Sequence, residues 1–155
     1  MRLYLVRHGE TVWNFENRIQ GASDVPLNDR GREQAESLAI KLQKIQFFKI
    51  LSSPLERAFE TAKIISLTQE SAISKVDCFA ELDQGKLEGL KFKEIQEKFP
   101  DFSSKWRIVP GEVRMPGGET LNELQERAWQ GIQNIYDEFS NEEEPILIVS
   151  HNLAI

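Results

Sequence analysis

Leu3-Tyr4-Leu5-Val6-Arg7-His8-Gly9-Glu10 opens the chain with an apolar run that gives way to a histidine. Ile146-Leu147-Ile148-Val149-Ser150-His151 repeats that pattern near the other end. Both runs read as short continuous strands of the kind buried on both faces of a parallel sheet. The chain has two histidines, and each stands just past one of these runs. Open α/β sheets gather ligands in the crevice at the carboxyl ends of their strands. The two imidazoles are therefore expected to meet in one site.

Working inward, Gly9 to Asp29 is polar and broken by glycine, asparagine and proline, a long functional loop with at most a short helix. Asn28 caps a helix whose stripe is Ala35, Leu38, Ala39, Leu42 and Ile45. Phe48 to Ser52 is a second strand. Ser53-Pro54-Leu55-Glu56 then spells a helix start, with a serine cap, proline at N1 and a glutamate completing a capping box. Ala58, Ala62 and Ile65 continue that helix's buried side. Val76 to Phe79 reads as a third strand, followed by a Gly85–Gly89 loop and a helix from Phe92 to Lys98 that stops before Pro100. Asp101 to Gly118 is expected to be irregular. Thr120 and Glu123 form a capping box for a long helix with the stripe Leu121, Leu124, Ala128, Ile132, Ile135 and Phe139. Trp129, beside that stripe, is assigned to packing.

Strands alternating with helices give an α/β layered fold, specifically a three-layer α/β/α sandwich around a mostly parallel sheet. Ser150 to Ile155 looks like the opening of a helix that does not continue. The expectation is one domain over residues 1–155, C-terminally truncated and lacking its C-terminal helix and strand.

A chain of 155 residues has room for one hydrophobic core. Its 19 basic and 25 acidic side chains give a formal charge of -6, which argues against broad binding to nucleic acid or anionic lipid. A local arginine cluster can still hold a small anion. Cys78 stands alone, so no internal disulfide or cysteine-rich metal site forms. The N-terminus lacks a signal-peptide pattern, and no run is apolar for long enough to span a bilayer. A cytoplasmic protein is expected. Neither the dinucleotide-binding glycine pattern nor the phosphate loop ending in Gly-Lys-Ser/Thr occurs. Two imidazoles without a carboxylate or thiolate cluster make a poor zinc site, so neither metal nor cofactor is expected.

The chemistry that suits these residues is phosphoryl transfer. A neutral, oriented imidazole is a nucleophile toward phosphorus, and His8 is the candidate. Arg7 and Arg57 bring planar guanidinium groups that bind phosphate oxygens in bidentate fashion. Arg57 also lies in the first turn of its helix, near the positive end of the dipole. His151 can donate to a phosphate oxygen as charge redistributes. A leaving alkoxide needs a proton, and Glu81, just past the third strand, is the best placed acid. Glu10 is a second choice, with an orienting role equally open. Asp83 and Glu88 are read as solvated loop acids.

Leu5-Val6-Arg7-His8-Gly9-Glu10-Thr11 resembles the signature of the histidine phosphatase superfamily, which includes cofactor-dependent phosphoglycerate mutases. The resemblance runs on through Trp13-Asn14, Asn17-Arg18, Gly21, Asp24, Pro26-Leu27 and Gly31. It resumes at Ser52-Ser53-Pro54-Leu55, Arg57-Ala58, Thr61-Ala62, Glu81, Gly85 and Glu88-Gly89, then at Pro116-Gly117-Gly118-Glu119-Thr120 and Val149-Ser150-His151. It implies that His8 becomes phosphohistidine, with Arg7, Arg57 and His151 around the transferred group and Glu81 as general acid. It also implies a phosphate contact from Asn14, a backbone N–H at Asn152, and no metal. Gln20-Gly21 and Asp24-Val25-Pro26-Leu27 look closer to broad-specificity and ribazole phosphatases than to glycolytic mutases. Leu87 stands where the family usually has tryptophan.

The implied activity is hydrolysis of small phosphomonoesters, acting on a small phosphorylated metabolite and neither nucleic acid nor membrane. Nothing in the sequence specifies an oligomeric state. Two alternatives stay open. A phosphoglycerate mutase would need extra basic contacts, which Lys91, Lys93, Lys98, Lys105, Arg107 and Arg114 could provide. An inactive truncated domain would only bind anions.

Overall fold

The computed structural model describes the chain from Met1 to Ile155. Its strands are β1 (Leu3–Arg7), β2 (Lys49–Ser52), β3 (Ile73–Lys75) and β4 (Ile146–Ser150). They form one sheet in the order β1-β4-β2-β3, with every neighbouring pair parallel. The helices are α1 (Val12–Phe15), α2 (Asp29–Leu42), α3 (Glu56–Ser66), α4 (Phe92–Lys98), α5 (Pro100–Trp106) and α6 (Leu121–Phe139).

β4 shows why a continuous apolar run encodes an interior strand. Successive side chains point to opposite faces. Leu147 and Val149 join Ala39 and Leu42 of α2 and Ala58, Ala62 and Ile65 of α3 on one face. Ile146 and Ile148 join Phe79 and Ile135 of α6 on the other. All four are fully buried, and each burial contributes about 1.5–3 kcal/mol. α2 and α3 on one side and α6 on the other complete the three layers.

The sheet corrects the expected fold in several places. The reading of a sandwich lacking its C-terminal helix and strand is overturned, because the 19-residue α6 and the fully paired β4 are both in place. The sheet is wholly parallel. β1 is an edge strand rather than an interior one, so Leu5 is 52% exposed. The third strand lies earlier than expected, at Ile73–Lys75, and Asp77–Phe79 is a 3₁₀ turn. That turn lowers Cys78 and Phe79 onto α6 at Gly131, where a Cβ would collide with the Cys78 sulfur and crowd the Phe79 ring. The stretch expected to be irregular contains α5, begun by Pro100 at its first position and carrying Phe102 stacked on Trp106 one turn on. Trp129 is 61% exposed and does not pack as expected.

The register sets up the site. Arg7 pairs with Ser150, and Ser52 pairs with Val149. β1, β4 and β2 therefore end together at one edge, with His8, His151 and Ser53 the next residues along. A third apolar cluster of Leu82, Leu87, Ile95, Met115 and Leu124 lies under the segments that overhang this edge. No helix is long and apolar enough to cross a membrane.

Candidate active site

His8 is 8% exposed and has a fixed tautomer. Its Nδ1 lies 2.6 Å from the Gly9 carbonyl, which can only accept, so Nδ1 carries the proton and donates it. Nε2 is left with a free lone pair. Burial, with smaller contributions from the Arg57 and Arg7 charges, lowers the His8 pKa to about 4 against the opposing pull of that hydrogen bond. The imidazole is neutral at pH 7.

His151 is fully buried beside it, with ring centroids 5.1 Å apart. Its Nε2 lies 2.7 Å from the Ser53 hydroxyl, and its Nδ1 has no partner. Burial, then Arg57 and His8, holds its pKa well below the usual range. Ser53 thus serves the site instead of capping a helix. α3 begins at Glu56, where Asp24 Oδ1 accepts from the Glu56 N–H at 2.6 Å.

Arg57, in the first turn of α3, is fully buried yet lines the same cavity as His8. Its terminal amino groups donate to the Ser23 carbonyl at 2.8 Å and the Gly21 carbonyl at 2.7 Å. Nε has no protein partner. Burial pulls its pKa down, and the charges of Glu81, Asp24 and Glu88 oppose this. Arg7 lines the cavity too and enters none of the ion pairs.

Glu81 is 9% exposed. Burial raises its pKa, although the Leu82 and Leu153 N–H groups, at 2.9 and 3.4 Å from its oxygens, and the nearby Arg57 and Arg7 pull the other way. A carboxyl whose pKa is raised by burial suits a general acid. Its backbone is held by Arg127, which sequence reasoning overlooked. That guanidinium donates to the carbonyls of Cys78 and Ala80 at 2.8 Å and of Glu81 at 3.0 Å, and clasps both Glu119 oxygens. Glu10 is used elsewhere, accepting from the Asn28 amide at 3.0 Å.

Asn14 lines the cavity, and its Oδ1 accepts from the Thr11 N–H at 3.1 Å. Asn152 lines it as well. The cavity has a volume of about 340 Å³ and brings together Arg7, His8, Asn14, Arg57, Glu81 and Asn152. His151 sits behind it, against His8. The far end is apolar, built from Phe92, Ile95, Phe102, Trp106 and Met115, and was not legible because α5 was not expected. Glu88 is not a solvated acid, for its carboxylate accepts from the Ala22 and Ser23 N–H groups at 2.8 and 2.9 Å.

Two imidazoles, two guanidinium groups and a buried carboxyl gather at the carboxyl edge of a parallel sheet, an arrangement suited to phosphoryl transfer. The chain belongs to the histidine phosphatase superfamily (branch 1), whose profile matches residues 3–155. Phosphoserine phosphatase 1 of Hydrogenobacter thermophilus is 33% identical over 155 residues, spanning 100% of this chain and 72% of the relative. The solved structure of Bacillus stearothermophilus YhfR superimposes with a TM-score of 0.89 at 35% identity, covering 98% of this chain and 74% of that one. The alpha-ribazole phosphatase from Shigella flexneri gives a TM-score of 0.89 at 30% identity, over 97% of this chain and 74% of that one. The resemblance to broad-specificity and ribazole phosphatases therefore holds. The chain is a phosphatase that hydrolyses small phosphomonoesters by way of a catalytic histidine.

Proposed function

We propose that His8 is that histidine, and that hydrolysis runs through two displacements at phosphorus. His8 Nε2 attacks the phosphoryl group, the bond from phosphorus to the ester oxygen breaks, and Glu81 gives its proton to the departing alcohol. Water then attacks the phosphohistidine while the Glu81 carboxylate takes a proton from it. The P–N bond breaks, inorganic phosphate leaves, and neutral His8 is restored. Arg7 and Arg57 balance the phosphoryl charge, the Asn14 amide and the Asn152 N–H donate to its oxygens, and His151 supplies a further donor beside His8.

One observation carries this reading. The Gly9 carbonyl accepts the hydrogen bond from Nδ1–H, so Nε2 has a free lone pair at a cavity that also holds Arg7, Arg57 and Glu81. The organic part of the substrate is assigned to the apolar end formed by Phe92, Phe102 and Trp106. Hydrolysis is favoured over a mutase reaction by the surroundings of that end. Of the six basic residues that could have supplied extra contacts, Arg107 alone lines the cavity. Phosphoserine and ribazole phosphate, named for relatives, are reasonable members of a first substrate panel. A cytoplasmic location is part of the same reading, supported by a single cysteine that forms no disulfide.

The test is release of inorganic phosphate from p-nitrophenyl phosphate and from that panel. Wild-type protein is expected to turn over and His8→Ala is not. Equal release by the two proteins would overturn the mechanism, and no release from any ester would favour anion binding alone.

A further inference from the structure

We propose that Glu88, which touches neither His8 nor the cavity, is a positioning residue that aims Arg57 through the loop Gly21–Asp24. The inference rests on the phosphate-binding role given to Arg57 above.

Three sets of contacts meet in this loop. Glu88 accepts from the Ala22 N–H at 2.8 Å, the Ser23 N–H at 2.9 Å and the Ser23 hydroxyl. It also accepts from the Gln84 N–H at 3.2 Å, which ties the loop to the segment leading away from Glu81. The Gly21 carbonyl, in the same peptide unit as the clasped Ala22 N–H, and the Ser23 carbonyl face Arg57. Gly21 and Ser23 take the two terminal nitrogens of Arg57 at 2.7 and 2.8 Å. Asp24, the next residue, accepts the Glu56 N–H at the start of the helix that carries Arg57. The carboxylate fixes the N–H side of the loop, and the carbonyl side fixes the guanidinium.

The backbone is shaped for this arrangement. Gly21 has a φ of +58°, and a Cβ there would collide with the Glu88 carboxylate. A side chain at 21 would also be strained in that conformation. The charge balance agrees as well, because the Glu88 charge favours the ionised form of fully buried Arg57 without forming an ion pair with it. With both terminal nitrogens held, Nε is left unpartnered and buried, and the guanidinium has one orientation when phosphate arrives. Such pre-positioning matters because a displacement of about 1 Å in an aligned group can cost roughly 10²-fold in rate.

The test is a double-mutant cycle on Glu88→Gln and Arg57→Ala, read by calorimetric binding of inorganic phosphate to the whole chain and, in parallel, by kcat/KM for p-nitrophenyl phosphate. Glu88→Gln replaces one of the two acceptor oxygens with an amide N–H that faces two of the four donors whichever way the amide is turned, so the clasp opens. Alone it is expected to weaken phosphate binding about tenfold and kcat/KM by up to roughly 10²-fold. In the Arg57→Ala background it should cost little more, since residues acting through one another are not additive. Equal losses in both backgrounds, or no loss in either, would overturn the proposal. If Glu88→Gln fails to fold, Ser23→Ala carries the same cycle, with a smaller loss that must also vanish without Arg57. The binding arm separates this inference from the activity: a chain that binds phosphate with coupled Glu88 and Arg57 but releases none from esters contradicts the proposed function and upholds the positioning role.

Discussion

Lowering the pH should destabilise this protein through both buried imidazoles, and the size of the His8 share follows from its environment. An unfolded histidine titrates at 6.5, while His8 in the fold titrates at about 4 because it is buried among arginines. Between those values the unfolded chain holds a proton that the folded site refuses, so stability rises with pH across the window and is lost as pH falls through it. The slope for one proton is about 1.4 kcal/mol per pH unit, and over the whole window the His8 contribution reaches about 3 kcal/mol. His8→Ala removes that proton uptake and leaves the other titrating groups in place. Urea unfolding followed by circular dichroism, in buffers without phosphate, measures both proteins as a function of pH. Their stability difference should change by about 2 kcal/mol between pH 6.5 and pH 5, with wild type losing more. Parallel curves would show that His8 is not held neutral by the fold, and the nucleophile assignment would lose its physical basis.

Two further outcomes follow from the acid side of the site. Glu81→Gln should lower kcat/KM, which reports the steps up to formation of the phosphohistidine, by about 10²–10⁴-fold on alkyl phosphates, with a much smaller loss on p-nitrophenyl phosphate, whose leaving group needs no proton. Because burial raises the Glu81 pKa, wild-type kcat/KM on alkyl esters should fall as pH rises through that value, and the Gln variant should lose this limb. Equal losses on both ester types would remove Glu81 from the proton-transfer step. Arg127→Ala strands three carbonyls and the Glu119 carboxylate. It should cost about 2–3 kcal/mol of stability and reduce activity on alkyl esters more than on nitrophenyl esters, as paired melting and kinetic measurements would show.

The parts of this molecule that sequence reveals are those encoded by local periodicity. β4 is legible because four successive apolar residues must be covered on both sides, and α6 because a capping box precedes an unbroken stripe. The juxtaposition of His8 and His151 follows from two strand ends and the rule for parallel sheets, once β1 and β4 are neighbours. Arg57 is legible from its place in the first turn of the helix after β2, whereas Glu81 reaches the cavity from a 3₁₀ turn and not from the expected strand end. What escapes is long-range. Asp77-Cys78-Phe79 reads as strand because its turn is imposed by the gap at Gly131, more than 50 residues away. Ser53 has a cap's local sequence, but Asp24 takes the helix N–H and His151 takes the serine. Glu88 and Arg127 look like ordinary charged surface residues. Their importance lies in the carbonyls and N–H groups they gather from segments that sequence does not show to be close.

The most direct measurement is the state of His8 during turnover. Protein quenched with alkali within the first turnover of a labelled phosphomonoester should carry an alkali-stable, acid-labile phosphoryl group on the peptide containing His8. That group should be absent from His8→Ala and should accumulate from labelled p-nitrophenyl phosphate, whose leaving group needs no acid, when Glu81→Gln slows the attack of water on the intermediate. Steady release of phosphate with no label on His8 at any time would contradict the account.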